Sequence, residues 1–195
     1  MMKTKQYLSI LLLSFLGMVG FSACSDDDFL FDENGVCYSK NVQHITAAQF
    51  QHIVEGYGWQ EVSTHEIYSN GKMEKKDYWS YMVGGSSRTM EVLKDGKLKE
   101  YYSFMPGQSG YHLRSYFFDE ESNRLHIQNN FSTRYIQVLS AGKTQFTVIQ
   151  EYGICSDGSK VYVYSVYRRM TDEQLQHYHD RYTTNLDAEK ETGMN

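Results

Sequence analysis

The chain predicts a mostly β fold: an antiparallel up-and-down barrel of about eight strands, with a short N-terminal helix and a C-terminal helix. Three observations carry this expectation. From Tyr57 to Arg169 most segments alternate with a period of two, the spacing that puts successive side chains on opposite faces of a strand. Short turn signals separate these segments, among them Asn70-Gly71, Asp95-Gly96 and Asp157-Gly158. No strand–helix–strand alternation appears, so a parallel sheet is not expected. The 17 tyrosines and single proline agree, because aromatic residues suit strands and proline interrupts them. Eight up-and-down strands commonly close into a barrel, which removes exposed edges and can hold one small ligand.

In chain order, Met1 to Lys5 carries two lysines and no acid, and Leu8 to Val19 is apolar apart from Ser9, Ser14 and Gly17. That pattern reads as the charged and apolar regions of a signal peptide, and it is short for a membrane span. Ser22 and Ala23 then lead into Cys24. The arrangement resembles a bacterial lipoprotein lipobox, with Phe21 where the pattern usually has leucine. The resemblance implies cleavage before Cys24, acylation of its thiol and a lipid anchor. Ser25-Asp26-Asp27-Asp28 looks like the acidic export signal of Bacteroidota-type surface lipoproteins. It implies an outer-membrane protein displayed on the cell surface; a plain solvated tether facing the periplasm is the other reading. The expected organisation is signal peptide 1–23, lipidated acidic tether 24–42, barrel domain with flanking helices 43–183, and polar tail 184–195. Cleavage would leave 172 residues with 17 basic against 24 acidic side chains, a net charge of −7. An acidic chain without a basic cluster argues against a nucleic-acid partner.

The tether, to about Asn41, has no sustained period beyond one short strand near Val36 to Ser39. Thr46 and Gln49 fit a capping box, followed by Phe50, Ile53 and Val54 on one helical face and Gly56 as the stop. Strands are expected from Trp59 to Tyr68, Tyr78 to Val83, Thr89 to Leu93, Lys97 to Phe104, Tyr111 to Phe118 and Arg124 to Gln128. Further strands are expected over Phe131 to Leu139, Thr144 to Tyr152 and Lys160 to Arg169. Thr171 caps a last helix with Asp172 and Glu173 in its first turn, where the helix dipole favours acids. Leu175 and Tyr178 or Tyr182 are its contacts with the sheet.

Around Gly56-Tyr57-Gly58-Trp59 the chain resembles lipocalin-like proteins, which place a tryptophan at the start of the first barrel strand and cover it with a basic residue from the last. The resemblance gives Trp59 the tryptophan role and Arg168 or Arg169 the basic one, both structural. It spans about Tyr57 to Arg169 and implies a barrel.

No catalytic signature is present. The seven histidines lack the His-Glu-x-x-His spacing of a zinc site, and His177 and His179 point to different helix faces. Neither a nucleophile elbow nor a phosphate loop occurs. The acids Glu61, Glu66, Glu91 and Glu151 fall on strands, and nothing selects a pair for hydrolysis. The chain therefore reads as a non-enzyme with no cofactor or metal, whose partners are the membrane through the lipid and a small amphipathic ligand. Trp79, Tyr81, Tyr102 and Phe117 are the candidate ligand contacts. The alternative is an accessory or inhibitory subunit of an outer-membrane assembly, which predicts a filled barrel and an exposed aromatic patch. Cys37 and Cys155 either form a disulfide, worth about 4 kcal/mol across so long a loop, or remain buried free thiols.

Overall fold

The computed structural model describes residues 29–39, 41–69, 73–75, 89–105, 108–129 and 132–188. Helix α1 covers Ala47–Val54. Its capping box is formed: Thr46 Oγ1 accepts from the Gln49 amide at 3.2 Å, and Gln49 Oε1 accepts from the Thr46 amide at 2.9 Å. Gly56, at φ +82°, supplies the left-handed residue that turns the chain into the first strand. The strands are β1 (Tyr57–Tyr68), β2 (Met73–Lys75), β3 (Thr89–Val92), β4 (Lys97–Met105), β5 (Gln108–Asp119), β6 (Arg124–Gln128), β7 (Thr133–Ala141), β8 (Gln145–Ile154) and β9 (Lys160–Arg169). Helix α2 (Asp172–Arg181) follows, with a capping box between Thr171 and Gln174.

The strands pair in the order β2-β1-β3-β4-β5-β6-β7-β8-β9, and β1 also pairs with β9. An eight-strand antiparallel up-and-down barrel of β1 and β3–β9 is therefore closed, as the period-two pattern predicts. The length of β1 makes the closure. One edge pairs with β3 over Tyr57 to Gln60 and with β2 over His65 to Ile67; the other runs along β9 from Trp59 to Tyr68. A register shift between Glu61 and Ser63 bends this strand, as a barrel staple must bend. The expected strand Tyr78 to Val83 lies outside the described residues.

Register assigns the faces. Trp59 lies opposite Met90, Tyr57 opposite Val92, and Val92 opposite Leu98, so these side chains share the interior. Tyr116 and Phe118 continue it opposite Ile127 and Leu125. At one end α1 inserts Phe50 and Val54 into this layer, with the Phe50 ring stacked on Phe118 at 4.5 Å. Asn123 ties that end together. It sits at φ +57°, accepts from the Ile45 amide at 3.0 Å, and donates to the carbonyls of Gln43 and Val138.

Two terminal stretches differ from expectation. From Phe29 to Ser39 the expected tether folds back on itself, with Phe31 bridged to Cys37, and packs on the outside of the barrel. Phe31 stacks on Tyr162 at 3.9 Å, and the Gln137 side chain exchanges two hydrogen bonds with the Cys37 backbone, each 2.6 Å. Apolar contact explains the docking: Phe29 and Phe31 join Ile67, Leu139 and Ile149 in a second cluster. The polar tail is likewise attached at its start, where Thr184 O accepts from the Tyr111 amide at 2.9 Å.

The disulfide is not formed; Cys37 and Cys155 are both free thiols. Cys37, on the arm, is buried in the outer cluster, whereas Cys155 is half-buried in the turn after β8, where its amide bonds to Ser159 O.

Candidate binding cavity

The interior changes character along the barrel axis. Near α1 it is a close-packed aromatic and aliphatic layer: Trp59 is fully buried, its ring centroid 4.7 Å from that of Phe146 in an edge-to-face pair and its Nε1 donating to Val54 O at 3.0 Å. Arg169 lies opposite Trp59 in the ladder and sets its guanidinium 3.2 Å over the Tyr57 ring, while Arg168 is exposed. Of the two arginines, Arg169 thus covers the start of β1, through Tyr57.

Beyond this layer the inward positions become polar. Two residues past Leu98 stands Glu100; two before Ile136 stands Arg134; two past Val148 stands Gln150; between Val163 and Tyr167 stands Ser165. Together with Thr89 and Met90, these residues enclose a cavity of about 140 Å³. Met90, Ile136, Val148, Val163 and Tyr167 supply apolar wall, and Glu100, Arg134, Gln150 and Ser165 supply hydrogen-bonding groups. Arg134 pairs through Nη2 with Glu100. Its Nε is buried and has no hydrogen-bond partner among the described residues. A buried donor left unpaired costs about 1–3 kcal/mol, so an acceptor brought to this nitrogen would be favoured.

The cavity's volume bounds its contents. It is close to the roughly 150 Å³ of an apolar cavity that accepts benzene, and well below the roughly 300–1,000 Å³ typical of drug-sized sites. Chemically it can hold one ring or a short branched chain carrying an acceptor.

The structure distributes the sequence candidates differently. Trp79 and Tyr81 lie outside the described residues. Tyr102 shares the inward register of Glu100 but is half-buried 5.7 Å from the His112 ring, and it does not line the cavity. Phe117 is corrected outright. It alternates with inward Tyr116 and Phe118, points outside and is 49% exposed. There it meets His126 at 4.2 Å, and His126 meets exposed Tyr135 at 4.8 Å, a short outer ladder across β5, β6 and β7. Burial holds the His126 imidazole below its ordinary pKa despite nearby Asp119. The residues that line the cavity carried one legible signal, a polar residue at the apolar parity of its strand.

No family model matches the chain, and no curated protein matches it. Among solved structures, it is similar to Odorant Binding Protein OBP1 at 16% identity and a TM-score of 0.37, over 71% of this chain and 84% of that one. It is also similar to bovine odorant-binding protein in complex with undecanal, at 11% identity and a TM-score of 0.37, over 70% of this chain and 82% of that one.

Proposed function

We propose that this protein is a cell-envelope lipoprotein, anchored through Cys24 and displayed on the surface, whose barrel binds a small amphipathic ligand. The supporting observation is the interior cavity lined by apolar Ile136, Val148 and Val163 together with Arg134, whose Nε has no hydrogen-bond partner among the described residues. Its size favours a ligand of one ring with an acceptor group. Benzyl alcohol is a suitable probe, titrated by NMR against the labelled protein. Saturable shifts at Ile136 and Val148 are expected, abolished by the cavity-filling Ile136→Trp and retained in Phe117→Ala. Absence of saturable binding, or binding that Ile136→Trp leaves intact, overturns the reading.

The anchor is tested separately. Palmitate labelling of the expressed chain is expected and should vanish in Cys24→Ala, and protease added to whole cells should digest the barrel domain. Protection from protease would assign the periplasmic face instead.

One observation favours the alternative of an accessory or inhibitory subunit in an outer-membrane assembly: the exposed outer ladder of Phe117, His126 and Tyr135. Crosslinking through a photoreactive residue at Tyr135 would capture that partner.

A further inference from the structure

The far end of β5 has an unusual neighbour. β6 pairs with β5 only over Ser115 to Asp119. Next to the unpaired part of that edge lies the segment after α2: Asn185 forms a parallel bridge with Tyr111, and Thr184 O accepts from the Tyr111 amide at 2.9 Å. Asp187 completes the contact. Its Oδ1 accepts from Arg114 Nη1 at 2.9 Å and lies 3.0 Å from His112 Nδ1, and its Oδ2 accepts from the Leu113 amide at 2.9 Å. Three successive residues of β5 thus present a guanidinium, an imidazole and a backbone amide to one carboxylate. Burial raises the Asp187 pKa, but the hydrogen bonds from His112 and Arg114 outweigh it and hold the carboxyl below its ordinary value, as expected for a bound anion.

Position 110 was left open for this segment. A Cβ on Gly110 would run into the Thr184 carbonyl oxygen and the Leu186 side chain. The receptor residues also reach the cavity: Arg114 Nε is 3.8 Å from Glu100, and Glu100 lines the cavity wall.

We infer that Arg114, His112 and the Leu113 amide form a carboxylate-binding site at the barrel mouth that the chain's own Asp187 occupies, so that residues 184–188 compete with carboxylate-bearing ligands. A small free carboxylate binds there when the segment is displaced, and the native chain binds it weakly. The charge-assisted contacts that Asp187 makes must first be broken, and contacts of that kind set a difference of about tenfold or more. The inference deepens the binding-module reading by naming an anionic group in the ligand, yet it is tested apart from the cavity.

The test titrates acetate, which needs no apolar cavity, into the ¹⁵N-labelled full-length protein and follows the Leu113 amide. Asp187→Ala should give saturable shifts at least about tenfold tighter than the native chain. Gly110→Ala, which dislodges the segment while leaving Asp187 in place, should give the same unmasking and covers the case in which Asp187→Ala folds poorly. Arg114→Gln added to either variant should remove the response. Equal acetate binding by native and variant chains, or no Leu113 response in both variants, overturns the inference. Benzyl alcohol binding in the same samples reports on the cavity independently, so failure of one reading is distinguishable from failure of the other.

Discussion

Asn123 shows how much one side chain can hold. Only a residue that tolerates a left-handed backbone fits at φ +57°, and asparagine does so more readily than most. Its amide group accepts from Ile45 and donates to two carbonyls, joining the segment before α1, the β5–β6 turn and β7. Asn123→Asp keeps the shape but loses both donations, placing a carboxylate against two carbonyl oxygens. A loss of about 2–3 kcal/mol is expected in urea unfolding, with Asn123→Gly less harmful because it keeps the backbone freedom. At the same scale, legibility was uneven. The Thr46 and Thr171 caps were readable because a capping box is local, fixed by residues three apart. The roles of Arg134 and Asp187 were not, since each is defined by partners 34 and 73 residues away.

At the scale of elements, α2 is the instructive case. It has no fully buried residue, yet it is docked. The Tyr101 ring packs against Tyr178 and Tyr182 at 5.2 and 5.6 Å, and His179 Nε2 lies 2.9 Å from Glu91 Oε2. Glu91 also accepts from Tyr101 at 2.7 Å and Lys99 at 3.1 Å. Burial raises the Glu91 pKa, but these hydrogen bonds and the Lys99 charge outweigh it and hold the carboxyl below its ordinary value. Burial and the same carboxylate push the Tyr101 hydroxyl up, keeping it a donor. For a folded pKa below the unfolded one, the stabilisation is present above the unfolded value and is lost as pH falls through the folded value. The contribution of the Glu91 carboxylate to the docking of α2 is therefore expected to weaken below about pH 4. Hydrogen exchange over Asp172–Arg181 measures this, and Glu91→Gln should already expose the helix at pH 7.

For the whole molecule, the arm from Phe29 to Ser39 makes the N-terminal region part of the fold. Cys37 is a buried residue of this arm, and burial pushes its thiol up despite hydrogen bonds from Ser39 and Leu30 that lower it. Cys37 and Cys155 are both expected to be free thiols on denaturation without reductant. Of these two, half-buried Cys155 should react with a maleimide in the native protein at neutral pH, and Cys37 should follow at the rate of unfolding. A native chain with no reactive thiol after denaturation would restore the bridge.

The barrel and its helices were determined by the sequence alone, because period-two alternation, turn residues and caps are encoded within a few positions of where they act. Strand spans from β3 to β9 follow that pattern closely for this reason. The interior cavity was decided only by tertiary structure. Whether an aromatic on a strand faces in or out depends on parity, and one residue of slip reverses it, which is how Phe117 came to stand outside. The polar half of the interior arises because β4, β7, β8 and β9 each bring one polar residue to the same level of the axis, a coincidence of register between strands far apart in the chain. The tail's hold on β5 has the same origin, since Gly110 and Asp187 acquire their meaning only where closure of the barrel brings them together.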